Sequence, residues 1–394
     1  MTPSSNKIAI LCFSTIEWNS LYQTPQAVMT EMAHRGYQVL YIETTGVRRI
    51  RVLDAKRIAD RVRNWTNSSF GFREIEQNLV VLHTILLPFP YHPLSVQINK
   101  MLLMMLINLW SLRRKLDTLI AWVYLPTPLT LKVIESLSPK SLIYQRLADF
   151  SCLTDKPDQL QGIEDKLMKK ADIVVVQGNE LVTDQLDHRP ETFFVLNGVS
   201  PKFSASGKAP VACLELFSEI RRPVAGYIGA IHKYFDFDLI DEVSTTLQDI
   251  SFVFVGPRLC SSKNIIKKPN VYFVGEREWH ELAHYIERFD VCLVPYRKTK
   301  YTESVVPSKV LEYMMIGKPI VATSLNELVN IESKNANLIR LADTPEKFAK
   351  AILSGIVEKD LSSRESRKNF AMSHTWPQKL DILLTKLSDL EGVT

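Results

Sequence analysis

Apolar residues fall along most of the chain in two alternating rhythms: short unbroken runs, and longer stretches with an apolar residue every three or four positions. Lys7 to Phe13 is a run of the first kind, Tyr22 to His34 a stretch of the second closed by Arg35-Gly36, and Gln38 to Ile42 another run. Such runs read as buried strands and the wider spacing as helices, so the chain opens βαβ. The pattern continues with strands at Leu79 to His83, Thr118 to Val123 and Ser141 to Gln145, and a helix from Pro128 to Leu137. Glu164 to Leu186 reads as helix, strand, loop and helix. A polar stretch, Lys202 to Pro210, is followed by a second alternation. Its strands are predicted at Pro223 to Ile228, Ser251 to Val255, Val271 to Val274, Val291 to Val294 and Ile320 to Thr323, and its helices at Phe237 to Leu247, Trp279 to Arg288 and Pro345 to Ile356. Repeated β-α units demand mostly parallel sheets with right-handed crossovers. The expected fold class is α/β, with two Rossmann-like doubly wound domains facing a cleft. Their expected bounds are 1–202 and 222–375, with a linker at 203–221 and a terminal helix in 376–394 that crosses back onto the first domain.

At 394 residues the chain exceeds one average core, which agrees with two domains. Five scattered cysteines without a C-x-x-C pair argue for a reducing compartment rather than disulfides or zinc. The apolar run Ile8 to Phe13 is too short for a signal segment, and Met101 to Trp110, broken by Asn108, is about half a membrane span. A cytoplasmic protein is expected. The net charge of +5 is unevenly placed, because Arg48 to Arg63 holds seven basic residues against Asp54 and Asp60. In that segment Ala55, Ile58, Ala59, Val62 and Trp65 recur at helical spacing, which predicts a basic amphipathic helix. Such a helix either covers a core or docks on an anionic membrane surface, placing the protein peripherally on the inner face. A second helix, Val96 to Leu116, combines Leu102 to Ile107 and Trp110 with Arg113, Arg114 and Lys115, and the same two fates apply. Nucleic acid is disfavoured, because no recognised binding motif accompanies the charge.

Candidate chemistry concentrates in Val306 to Ser324, VPSKVLEYMMIGKPIVATS. Ser308 stands where a helix cap belongs, Gly317 offers the left-handed residue that ends helices, and Pro319 starts the next strand. Lys309 and Glu312, three apart, share one helix face. A phosphate suits Lys309 and the helix N-terminus, and a carboxylate such as Glu312 can take two ribose hydroxyls. The plain alternative is a surface helix with an intrahelical pair worth about 0.2 to 0.5 kcal/mol. Other loops follow predicted strands, where doubly wound sheets place ligands. These carry Trp18, Tyr124, Asp149, Gly229 and the Gly275-Glu276-Arg277 turn. No G-x-G-x-x-G follows the first strand, which disfavours a dinucleotide dehydrogenase. Asp236-Phe237-Asp238 has a metal-binding form but starts a predicted helix, where acids meet the dipole favourably, and no H-E-x-x-H or G-x-S-x-G is present.

The run Glu312, Tyr313, Met314, Gly317, Lys318, Pro319, Ile320, Val321 and Ala322 resembles the donor-binding helix of GT-B glycosyltransferases, especially glycosyltransferase family 4. Its Pro-Ser-Lys-x-x-Glu-Tyr opening is similar to a subgroup making bacterial surface polysaccharides, of the teichuronic-acid type. Glu164 to Leu186 and Phe193 to Pro201 also resemble family segments. The resemblance implies a retaining transferase that uses a nucleotide-sugar donor, a glycan or lipid-linked acceptor, no cofactor and no metal. It implies donor contacts from Gly229, Lys233, Gly275, Arg277, Ser308, Lys309 and Glu312, and an acceptor side near Trp18, Gln23 and Gln26. The catalytic group is not singled out; Asp149, Glu303 and Tyr124 are candidates. Two family positions differ: Ala230 replaces an arginine, and Ser304, eight before Glu312, replaces the first of two paired glutamates, with Glu303 next to it. The alternative function is therefore a catalytically inactive GT-B protein that binds a nucleotide sugar, glycan or partner enzyme at the membrane.

Overall fold

The computed structural model describes residues 8–43, 63–154, 156–178, 181, 192–194, 197–260 and 268–391. The basic run at 48–62 lies outside them. The chain divides into two compact units, one of Met1–Gln177, Leu181–Val195 and Asp389–Thr394, the other of Gly178–Glu180 and Leu196–Ser388.

In the first unit, β1 (Ile8–Phe13), β2 (Gln38–Ile42), β3 (Phe72–Glu76), β4 (Leu79–Leu82), β5 (Thr118–Val123), β6 (Ser141–Arg146), β7 (Ile173–Val176) and β8 (Thr192–Phe194) form one sheet in the order β3-β4-β2-β1-β5-β6-β7-β8. Every pairing is parallel except β3 on β4. Helices α1 (Thr24–His34), α2 (Pro93–Arg114), α3 (Pro128–Leu137) and α4 (Pro157–Lys170) connect the strands. The central strands are unbroken apolar runs because both faces are covered. β3 escapes the apolar-run criterion: its sequence, FREIE, is largely exposed, and charged residues on an edge strand discourage pairing with another chain.

The second unit contains β9 (Val224–Ile228), β10 (Ser251–Val255), β11 (Val271–Gly275), β12 (Val291–Val294), β13 (Ile320–Ala322) and β14 (Arg340–Leu341), all parallel, in the order β11-β10-β9-β12-β13-β14. Its helices are α5 (Val211–Glu219), α6 (Phe237–Thr246), α7 (Leu282–Arg288), α8 (Lys300–Glu303), α9 (Lys309–Ile316), α10 (Asn326–Lys334), α11 (Pro345–Ile356), α12 (Leu361–Met372) and α13 (Trp376–Glu391). Helix packing on this sheet is close: a Cβ added to Gly226 on β9 would meet the Phe289 ring at 2.2 Å.

Helices α5, α8, α10 and α12 lie where the pattern predicts none. α5 occupies the stretch expected to be linker and buries only Cys213. α12 is tied down by ions rather than by an apolar stripe: the fully buried Arg367 pairs with Glu358 and donates to Gly317 O at 3.3 Å. Its buried residues are Arg367 and Ala371, so hydrophobic periodicity carries no signal for it.

Candidate functional site

The strand order of the second unit reverses between β9 and β12, and doubly wound sheets bind ligands outside the carboxyl ends of strands at such a switch point. Glycines line that edge. Gly229 follows β9 with φ +116°, Gly256 follows β10 with φ +145°, and Gly275 ends β11 with φ +83°. They lock together: Gly229 N–H donates to Val255 O and Gly256 N–H to Gly275 O, both at 2.8 Å, and a Cβ on Gly256 would lie 2.1 Å from Gly229 O. Backbone alone fits there.

α9 brings Lys309 against this edge. A Cβ on Gly229 would stand 3.0 Å from Lys309 Cε, so the lysine stem fills the space that the glycine leaves. Lys309 is buried, at 9% exposure. Its ammonium donates to the Tyr296 hydroxyl and lies 4.8 and 5.1 Å from the ring centroids of Tyr296 and Tyr227. These faces attract a cation without neutralising it. No described carboxylate forms an ion pair with Lys309. His232 shows its effect: burial first, then the Lys309 charge, pushes the imidazole down to about 4.

Glu312 lies one turn along α9. Trp279 Nε1 donates to Glu312 Oε1 at 3.0 Å, and the indole packs on Phe203 with centroids 5.3 Å apart. Burial raises the carboxyl pKa, opposed by the Trp279 hydrogen bond and the Lys309 charge. Trp279 also borders a cavity of about 410 Å³ lined by Lys202, Lys208, His280 and His284 among others.

The other residues of this unit that the sequence singles out have the following surroundings. Ser308 has helical backbone angles and makes no capping bond with its side chain, which corrects its expected role; the turn begins earlier, with Val310 N–H bonded to Pro307 O. Gly317 ends the helix at φ +79°. Lys233 is exposed, its Nζ 4.9 Å over the Tyr234 ring. Arg277 turns its guanidinium onto α7, donating to Tyr285 Oη at 2.8 Å and to its neighbour Glu276 O at 2.7 Å. Glu303 accepts the Asn326 N–H at 2.7 Å and so caps α10. Ser304 Oγ donates to Tyr301 O at 2.8 Å. Asp236 caps α6 through Leu239 N–H at 3.2 Å, and Asp238 pairs with Arg297 at 2.7 Å.

In the first unit, β1, β2, β4 and β5 are each followed directly by a polar residue, Ser14, Glu43, His83 and Tyr124. Gln26, only 1% exposed, organises the loop after β1: Oε1 accepts Gln23 N–H at 2.7 Å and Nε2 donates to Trp18 O at 3.0 Å. Trp18 N–H donates to Glu43 Oε1 at 2.9 Å, and its ring meets Tyr41 edge-on at 4.9 Å. Glu43 Oε2 lies 3.0 Å from His83 Nδ1 in a buried pair, and His83 Nε2 has no partner among the described residues. Sequence reasoning passed over this pair. Its only signal is a polar residue placed directly after the apolar runs of β2 and β4. The buried Tyr124 hydroxyl is also without a partner among the described residues, and burial raises its pKa well above the ordinary value. Asp149 caps the turn Phe150–Leu153 through Ser151.

Residues 222–356, from β9 through α11, match the model of the glycosyl transferases group 1 family. TuaH of Bacillus subtilis (strain 168), whose name gives it as a teichuronic acid biosynthesis glycosyltransferase, is 27% identical over 242 residues, 57% of this chain and 60% of that protein. The chain thus spans about three-fifths of the length of this curated relative. Among solved structures, sucrose-phosphate synthase from Thermosynechococcus elongatus superposes with a TM-score of 0.69 at 12% identity, covering 98% of this chain and 100% of that one. Anabaena HepE in complex with UDP gives a TM-score of 0.62 at 14% identity, covering 97% and 100%. The fold is GT-B, and within the second unit residues 222–356 are similar to group 1 glycosyltransferase domains.

Proposed function

We propose that the protein is a retaining glycosyltransferase of the family 4 type, moving a sugar from a nucleotide-sugar donor to a glycan or lipid-linked acceptor in surface-polysaccharide biosynthesis. The observation that carries this reading is Lys309: a buried ammonium without a carboxylate partner among the described residues, lodged against Gly229 at the topological switch point. The donor diphosphate lies against that charge and the start of α9, which stabilise the negative charge growing on the leaving group. Glu312 takes the ribose hydroxyls through the oxygen that Trp279 leaves open, and backbone at Gly275 to Arg277 meets the base. Lys309 supplies the cation that the leaving diphosphate requires. Trp18, Gln23 and Gln26 belong to the acceptor side, where the indole offers an aromatic surface to a sugar. A lipid-linked acceptor implies work at the inner face of a membrane. Retention rests on the family resemblance alone.

A second reading, an inactive GT-B protein that binds without transfer, is favoured by Ser304 at the position of the first paired glutamate and by the engagement of Glu303 at α10. A panel of nucleotide sugars offered to wild type and to Glu312→Gln separates the readings. Wild type should bind UDP and turn over a donor. The variant should bind UDP roughly ten- to a hundredfold more weakly, since a hydrogen bond to a charged group contributes about 1.5 to 3 kcal/mol. Binding without turnover of any donor favours the second reading, and no binding, hydrolysis or transfer by wild type overturns both.

A further inference from the structure

α2 is apolar on two opposite faces. Val96, Leu103, Leu106, Ile107 and Trp110 face the core of the first unit. Leu94, Ile98, Met101, Met105 and Leu112 face outward, with 63, 45, 66, 59 and 78% of their surface exposed. Their spacings of four, three, four and seven residues keep all five within an arc of about 60° at 100° per residue, a stripe about 27 Å long at 1.5 Å per residue. Helices that cover a core normally present polar side chains on the far face. The stripe is extended by the preceding loop, in which Leu87 and Phe89 are 43 and 53% exposed and Leu87 N–H is held by Asn99 Oδ1 of α2 at 2.8 Å.

Charge indicates what covers this face. From Pro93 to Lys115 there is no Asp or Glu, whereas Lys100, Arg113, Arg114 and Lys115 are present. Arg114 pairs with Glu74 at 3.1 Å, and Arg113 and Lys115 are exposed. An apolar stripe with the exposed Arg113 and Lys115 at one end, and Asp117 as the nearest following acid, matches a bilayer surface rich in anionic headgroups, with acyl chains below phosphates. Among the described residues no helix is long and apolar enough to cross a membrane. We propose that α2 lies in the plane of an anionic membrane, its Leu94 to Leu112 stripe sunk at the level where headgroups meet acyl chains and Arg113 and Lys115 on lipid phosphates. The face deepens the reading of a lipid-linked acceptor, but its test does not depend on sugar transfer.

The test is flotation with phosphatidylcholine vesicles, with and without phosphatidylglycerol. Wild type should float with the anionic vesicles and remain behind with the neutral ones. Met101→Ser/Met105→Ser/Leu112→Ser should partition at least about tenfold less, and Arg113→Glu/Lys115→Glu, which leaves all apolar packing untouched, should do the same. Unchanged UDP binding certifies the fold of both variants; if wild type binds no UDP, circular dichroism serves, and the functional reading falls without this one. Wild type that stays behind with anionic vesicles overturns the proposal, as does a variant pair that floats like wild type. A dimer in gel filtration that the serine variant converts to monomer assigns the stripe to a second copy of the chain and also overturns it.

Discussion

The carboxyl edges of the two sheets use polar residues in opposite ways. At the first, polar side chains are bonded to the protein itself: Gln26 and Glu43 hold the loop after β1, and Glu43 also holds His83. At the second, three glycines clear the backbone, Lys309 has no anionic partner among the described residues, and Glu312 receives one hydrogen bond from Trp279. A buried charge without a counter-charge is costly to keep. The first edge is closed by its own hydrogen bonds except at His83 Nε2 and the Tyr124 hydroxyl, and the second keeps a buried cation with no ion pair among the described residues. The difference predicts that changes at the first edge lower stability, and that changes to the charged groups of the second lower affinity.

The sharpest way to break the contrast is Gly256→Ala. The new Cβ would sit 2.1 Å from a backbone carbonyl at φ +145°, so the second edge also has a rigid floor. A loss above about 4 kcal/mol is expected in urea unfolding. Glu43→Ala comes next. It strands Trp18 N–H and His83, and should lower stability by roughly 3 kcal/mol while leaving UDP affinity within twofold.

pH gives a third check. His232 titrates near 4 in the folded chain against 6.5 ordinarily, so the unfolded chain takes up the proton first as pH falls. Stability should drop by up to about 3 kcal/mol between pH 6.5 and 4, and His232→Gln should flatten that slope in pH-dependent thermal melts. Lys309→Met is the smallest change in stability and the most diagnostic. It keeps the stem against Gly229, so stability should stay within about 1 kcal/mol of wild type, while UDP affinity should fall about tenfold or more by calorimetry. Equal losses of stability and affinity would erase the distinction between the edges.

Most of the fold was legible because its signals are local. The central strands of both sheets are continuous apolar runs, and the short helix with Lys309 and Glu312 is bounded by Pro307 and Gly317. The elements that escaped follow other rules: β3 is a charged edge strand, and α12 is fastened through Arg367 and Glu358. Ser308 has the chemistry of a cap but the backbone of a helix interior. Arg277 and Glu303 have suitable chemistry for a ligand, and the fold gives them partners that no local pattern announces, a neighbouring phenol and a helix terminus.

The α/β class, the two alternations and the helix that holds Lys309 and Glu312 can be read from the residues alone, since periodicity, glycine and proline act over a few positions. Which polar groups have partners within the protein emerges from the folded chain. Trp18 meets Glu43, Glu43 meets His83, Trp279 meets Glu312, and Lys309 meets two tyrosines rather than a carboxylate. The first three pairings span 25 to 40 residues of chain, and which atoms lie within hydrogen-bond reach is set by strand order and helix packing rather than by local pattern.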